Sequence, residues 1–509
     1  MASKQIQWPQ RLVNFVAFIW LHLTVVNLLR LLWLGTVYYD ERLVYKSAMA
    51  TCDWDNWENW GPETAPHRMV LVADPQIIDR HTYARRGITL SATIFYTDLY
   101  MSRSYGSIID HLNPSTVLFL GDLFDGGREW DSDKIAHHHS DAMIPEDPAG
   151  FPDWKEFKDD YWLSEYVRFS KIFPPTSYRR TVQSLPGNHD IGVGNGIKES
   201  VLDRFRLFFG DGNSLLTLGN HSIILLDTPS LLNDVNPRIH GPPRDFLNSL
   251  PDLLGPTPLQ PHIIQNASTP APTSPPPQNN PKPVILLSHI PLHRPADTPC
   301  GPHRQSQNPI RIGGGYQYIN TLTEPLSQEI LHKTGAKHIF SGDDHDSCTV
   351  IHEYEDRKQR AEEVTVRTFA WTMGVRQPGF MMVSLLNDGL RGGEETVRVH
   401  ECLLPDQIGI YLGYVELLVQ TLVILLLNMA RRRGLLWRWC RCLRLGEGKR
   451  EEDRGKREGL LGIVQGEKTT EMEVGTGKQN RGCCGEFCRD LGELLIVVVP
   501  FYLALLALW

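Results

Sequence analysis

The residues best suited to chemistry are Asp122, in Gly121-Asp122-Leu123-Phe124-Asp125, and the pair Asn188-His189, in Gly187-Asn188-His189-Asp190. Each run follows a short apolar stretch, 116–120 and 181–185, with the length and composition of a buried strand. A carboxylate can bridge two divalent cations, and an amide oxygen can complete the ligand set of one of them. An imidazole held beside them can move a proton. That combination is what phosphoester cleavage at a two-metal centre needs.

Three further runs repeat the arrangement. Asp74-Pro75-Gln76 follows the apolar residues 69–73, Ser288-His289 follows 284–287, and Gly342-Asp343-Asp344-His345 follows 338–340. A single Asp after a strand is usually a turn or cap residue. Recurrence of metal-competent side chains at five separate strand ends is not explained by capping. With further strands expected at 222–226, 364–370 and 380–385 and a helix over 87–112, the pattern is α/β with a layered core. Open α/β sheets place their sites at the C-terminal ends of strands, where these residues fall.

The chain has 509 residues and a net charge of −8, which gives no global basic signature for nucleic acid. Residues 13–34 and 408–429 are apolar and long enough to cross a bilayer. The first is read as an uncleaved anchor rather than a signal peptide, because its run is long and no small-x-small cleavage site follows closely. Arg431-Arg432-Arg433 with Arg438, Arg441 and Arg444 follow the second, so that end is expected to be cytoplasmic. Residues 1–12 are then cytoplasmic and 35–407 lumenal. The sequons at Asn220 and Asn266 lie in that lumenal part and are candidate glycosylation sites. So do Cys52, Cys300, Cys348 and Cys402, an even number from which one or two disulfides are expected, with pairing open. Residues 255–283 read as a solvated Pro-rich loop, and His137-His138-His139 as part of another. The tail 430–490 reads as a basic, disordered segment, with Cys440 and Cys442 as candidates for S-acylation. Residues 494–509 are apolar again, either a third span or a membrane-embedded end.

The ordered set Asp74, Gly121-Asp122, Gly187-Asn188-His189-Asp190, His289 and Gly342-Asp343-Asp344-His345 resembles the calcineurin-like metallophosphoesterase superfamily over residues 68–387. Gly121 to Arg128, Ser288-His289-Ile290-Pro291-Leu292, Gly342 to Asp346 and the flanking apolar segments are similar to its membrane-bound branch acting on glycosylphosphatidylinositol (GPI). The resemblance implies a layered sandwich and two divalent metals. One metal would be held by Asp74, Gln76, Asp122 and His345, and the other by Asp122, Asn188, His289 and Asp343. His189 would deliver the leaving-group proton, and Asp190 would orient His189 or its loop. Arg128 and His293 are candidate substrate contacts. Two positions depart from the superfamily pattern: Gln76 and Asp343 stand where His is usual. Both add oxygen donors, which favours Mn²⁺.

The resulting expectation is a Mn²⁺-dependent phosphodiesterase of endoplasmic reticulum or Golgi membranes. Its substrate would be the GPI lipid or a GPI-anchored protein, from which it removes ethanolamine phosphate on a mannose. Two other readings stay open. One is a lumenal phosphomonoesterase or nucleotide hydrolase. The other is a weakly catalytic membrane protein of manganese homeostasis or cargo sorting, acting with sorting partners.

Overall fold

The computed structural model describes residues 24–508 except 62, 81–84, 130–158, 256–281, 316, 355–358, 388–394 and 434–482. Asn266, the His137-His138-His139 run, Cys440 and Cys442 lie outside the described residues. The chain divides into two compact units, Leu43–Gly409 and a pairing of Met1–Arg42 with Ile410–Trp509.

In the larger unit the strands are β1 His67–Val72, β2 Thr116–Phe119, β3 Arg180–Val182, β4 Ser214–Leu218, β5 His221–Leu226, β6 Val284–Ser288 and the short β7 Gly314–Gly315 and β8 Tyr318–Ile319. After these come β9 His338–Ser341, β10 Cys348–Tyr354, β11 Gln359–Thr365, β12 Gly379–Leu385 and β13 Val397–Leu403. One sheet has the order β13-β12-β1-β2-β3 and the other β10-β11-β9-β6-β5-β4, while β7 and β8 form a two-stranded ribbon. In the first sheet β1-β2-β3 are parallel out to the β3 edge, with β12 and β13 antiparallel on the other side; in the second, parallel β5-β6-β9-β11 are flanked by antiparallel β4 and β10.

The period-2 alternation of side chains explains the layers. Met69 and Leu71 of β1 join Leu118, Ile223, Leu225, Ile285, Leu287, Met381 and Val383 in a core drawn from both sheets. Val70 and Val72 point the other way, into a second core with Tyr100, Tyr105, Phe169 and Phe205 from the helices Gly87–Ser107, Asp159–Ile172 and Glu199–Phe209 and with Phe173 just beyond the second of these. On the far face Ile224, Leu226, Leu286 and Ile339 pack on Leu247, Leu250, Ile330 and Leu331 of the helices Pro237–Leu254 and Glu324–Thr334. The central strands therefore need apolar residues on both faces, which is why they read as continuous apolar runs. The strand expected at 364–370 forms earlier, as β11, and beyond Thr365 the chain leaves that strand, Thr368 bridging Ala73 at the end of β1. Four cysteines form two disulfides, Cys52–Cys402 and Cys300–Cys348.

In the other unit, two helices are long and apolar enough to cross a membrane among the described residues, Gln407–Arg432 and Gly485–Ala507. Of residues 13–34, expected from sequence to be an anchor, only 24–34 are described, and 25–34 lie within the helix Val25–Tyr38. The expectation for 430–490 needs correction at its end, because the last helix begins at Cys483 and runs through Pro500 to Ala507. Ion pairs between Arg432 and Asp490 (3.1 Å) and between Arg433 and Glu486 (3.1 Å) hold this polar first part against the end of Gln407–Arg432. Pro500 removes one N–H donor, a loss that membrane-spanning helices tolerate.

A buried polar knot fixes the loop after β6. Glu363 accepts bonds from the Leu292 N–H (3.0 Å), Ser341 Oγ (2.7 Å), Arg294 Nη2 (2.8 Å) and His352 Nε2 (2.6 Å). Burial alone would raise the Glu363 pKa, but Arg294, His352 and Ser341 together bring it down to about 2. A free glutamate titrates near 4.5, so this group stabilises the fold fully above that pH and the contribution is lost as pH falls toward 2. Glu363→Gln strands the Arg294 charge and is expected to cost about 3–5 kcal/mol at neutral pH. Its denaturant midpoint should also vary less than the parent's between about pH 5 and pH 2; equal slopes would show that the knot does not carry the acid sensitivity.

Candidate active site

Each strand end delivers its side chains through a turn. Asp74 and Gln76 follow β1, Asp122 follows β2, Asn188 and His189 open a one-turn helix after β3, His289 follows β6, and Asp343 and His345 follow β9. Five of these residues adopt left-handed backbone: Asp74 (φ 47°), Gln76 (35°), Asp122 (51°), Asp343 (70°) and His345 (70°). For a side-chain-bearing residue this conformation costs roughly 1–2 kcal/mol. Such strain persists only where the surroundings impose it, and it concentrates at functional sites. Two glycines allow the turns to meet. A Cβ at Gly187 would lie 2.0 Å from Asp122 Oδ1, and one at Gly121 would lie 2.7 Å from His289 Nδ1.

Ligand atoms of Asp74, Asp122 and His345 come within 4.8 Å of one another. A second group converges on His289 Nε2, which lies 3.0 Å from Asn188 Oδ1, 3.4 Å from Asp122 Oδ1 and 3.6 Å from Asp343 Oδ1. Asp122 thus belongs to both groups. Its Oδ1 accepts the His189 backbone N–H at 2.8 Å, and its Oδ2 accepts Gln76 Nε2 at 2.7 Å.

The geometry tests whether these residues suit a cation. His289 Nδ1 is 2.8 Å from the Leu120 carbonyl, so that nitrogen carries the proton and Nε2 is a bare acceptor. A bare nitrogen facing three oxygens is repulsive unless a cation lies between them. Buried Asp343 Oδ2 has no hydrogen-bond partner among the described residues. Burial, reinforced by the Asp122 charge, raises Asp74 and Asp343 well above the usual carboxylate range. Asp122 is lowered: burial opposes ionisation, but the two histidines outweigh it. Burial keeps His289 and His345 neutral, the latter near 4. Crowded carboxylates beside neutral imidazoles fit hard divalent cations.

The other residues brace this centre. Asp190 accepts N–H groups of Leu123 (2.9 Å), Phe124 (3.0 Å) and Gly187 (2.9 Å), stapling the Asp122 turn to the Asn188 turn. It therefore orients the loop rather than the His189 ring. The ring meets Asp125 instead, with Nδ1 at 2.5 Å from its carbonyl and 3.3 Å from Oδ1. Burial lowers the His189 pKa, but Asp122 and Asp125 outweigh it and raise it to about 9. Arg128 Nη1 donates to the Asn188 carbonyl at 3.0 Å, so it braces a candidate ligand. His293 donates its backbone N–H to Ser327 Oγ (2.8 Å), and no hydrogen bond or ion pair joins its ring to the cluster among the described residues. Asn220 sits exposed at the β4–β5 turn (φ 59°), where Asn220 and Asn387 exchange reciprocal bonds of 3.1 Å.

Sequence reading missed Thr368, whose Oγ1 donates to the Asp74 carbonyl (2.8 Å) while its N–H donates to the His345 carbonyl (3.0 Å). It also missed Gln317, whose carbonyl accepts Asn188 Nδ2 at 3.1 Å. Neither carries a local signal, because both act across long chain separations and partly through backbone atoms.

Comparison with known proteins agrees with this geometry. Residues 94–347 match the calcineurin-like phosphoesterase family model. The chain is 37% identical over 393 residues to Cell division control protein 1 of Saccharomyces cerevisiae, covering 75% of this chain and 70% of that protein. It is 26% identical over 379 residues to Metallophosphoesterase 1 of Xenopus laevis (70% and 81% covered). To Metallophosphoesterase 1 of Danio rerio it is 23% identical over 401 residues (77% and 90%). With two sheets presenting Asp74, Asp122 and His345 as a metal-competent group, the chain belongs to the calcineurin-like metallophosphoesterases and is a metal-dependent phosphoesterase.

Proposed function

We propose that this enzyme is a Mn²⁺-dependent phosphodiesterase that removes an ethanolamine phosphate branch from a mannose of the GPI glycan. The observation that carries the chemistry is Asp122, shared between the Asp74–His345 group and the Asn188–His289–Asp343 group. In this reading Asp74, Asp122 and His345 hold one cation, joined by Gln76 once its amide turns its oxygen inward. Asp122, Asn188, His289 and Asp343 hold the other. Bound divalent cations would lower the pKa of a water and neutralise the phosphoryl oxygens. Amide and carboxylate oxygens at Gln76 and Asp343 support manganese over ions that prefer imidazole.

The chain's own residues supply the rest. His189, held on Asp125 with its proton retained, is placed to donate to the leaving alkoxide. Asp190 keeps the two ligand turns in register, and the two glycines leave them room to touch. A diester carries a single negative charge and needs less cationic clamping than a monoester, in keeping with Arg128 being engaged on the Asn188 carbonyl. Two membrane-length helices support a substrate that stays in a lipid bilayer, with a lumenal site in the endoplasmic reticulum or Golgi.

His189→Ala is expected to lower kcat about 10²–10⁴-fold on an alkyl phosphodiester with metal content unchanged. The loss should narrow on an aryl diester, whose leaving group needs no proton. Equal losses on both substrates would assign His189 a role other than proton delivery. For the substrate, mass spectrometry of GPI glycans from cells lacking the protein should show ethanolamine phosphate retained on one mannose. An unchanged glycan, together with a preference of the purified enzyme for monoesters, would replace this reading by the phosphomonoesterase one.

A further inference from the structure

An asparagine can serve a cation only with its oxygen end; turned about, it presents an NH₂ dipole of the wrong sign. The Asn188 amide is short and sits where either end could face inward. Its direction is fixed from outside the ligand set: Nδ2 donates to the Gln317 carbonyl at 3.1 Å, which leaves Oδ1 3.0 Å from His289 Nε2.

Gln317 lies between β7 and β8, a ribbon of two-residue strands whose two glycines bring no side chains to pack. Ile319 of β8 packs on the far-face core, and the backbone at Gln317 is left-handed (φ 53°). The side chain supplies the anchor. Gln317 Oε1 accepts the Val193 N–H at 3.0 Å, and Nε2 donates to the Gly196 carbonyl at 2.8 Å. Both partners sit in the turn immediately after the Asn188–Ile191 helix. That turn is itself held from its other side, where Asn233 Nδ2 donates to the Gly194 carbonyl at 2.8 Å. The turn is also shaped around the side chain: a Cβ at Gly192 would lie 2.4 Å from Gln317 Oε1, and one at Gly196 2.4 Å from Nε2.

We propose that Gln317 is the positioning residue of the Asn188 ligand, its side chain clamping the turn at 192–196 so that its carbonyl holds the Asn188 amide oxygen toward the metal. The inference rests on the metal-dependent reading above and extends it to a residue outside the strand ends. Removal of partners that orient a ligand typically weakens metal affinity 10–100-fold.

The test is Mn²⁺ binding by calorimetry on the metal-stripped full-length protein, with unfolding temperature measured in parallel. Gln317→Gly accommodates the left-handed backbone while removing both side-chain bonds. Gln317→Glu keeps the acceptor for Val193 and loses the donor to Gly196. Gly196→Ala displaces the side chain from the other side. The Gly and Ala variants should lose about 10–100-fold in one Mn²⁺ affinity, with Gln317→Glu in between. At saturating Mn²⁺ kcat should return to near the parent value with KM for a phosphodiester unchanged, which a general structural defect would not produce. Parent-like Mn²⁺ affinity in the folded variants overturns the role of Gln317, and if Gln317→Gly does not fold, Gln317→Glu decides on the same scale. A parent chain that binds no Mn²⁺ overturns instead the metal-dependent reading itself.

Discussion

The carboxylate side chains of Asp74, Asp122 and Asp343 are buried together at the ends of two sheets, and the rest of the larger unit is arranged around that repulsion. In a low-dielectric interior like charges this close cannot all ionise unless something positive is shared among them. The imidazoles within the cluster do not provide it, because burial keeps His289 and His345 neutral. His189 and its proton stand at the edge, turned toward Asp125. A shared divalent cation would resolve the conflict, and Asp122 is the residue common to both groups of candidate ligands.

Holding such a centre takes a scaffold that does not yield. The sandwich supplies it by packing the central strands on both faces, so that the turns beyond them start from fixed points. The strain of five left-handed residues is then imposed on those turns, and cross-braces prevent its release. Asp190 joins the turns after β2 and β3, and Thr368 joins those carrying Asp74 and His345. On the other sheet, the Glu363 knot secures the segment after His289. Each brace is polar, buried and long-range.

Much of this was legible in the chain because candidate metal ligands at strand ends follow from side-chain type and local pattern. The central strands announced themselves as apolar runs, and the helix expected over 87–112 forms as Gly87–Ser107 with one wider turn to Leu112. The strands β4, β10 and β13 went unread for a physical reason. They are antiparallel strands at the sheet edges or ends, in which apolar and polar residues are mixed, as in Val397–Leu403 with Arg398, His400 and Glu401. The braces were illegible for another: Gln317 acts on Asn188 and Thr368 on Asp74, each more than a hundred positions away, and no local signature marks such a contact. The last helix was under-read because its first turns mix the ion-paired Glu486 and Asp490 with only scattered apolar residues such as Phe487 and Leu491.

The central claim, that Asp122 joins two cation sites, is tested most directly by anomalous X-ray diffraction from crystals of the protein grown with Mn²⁺. The account requires two manganese peaks on either side of the Asp122 carboxylate, one beside Asp74 and His345 and the other beside Asn188, His289 and Asp343. A single peak, or none with the carboxylates paired through protons, would contradict it.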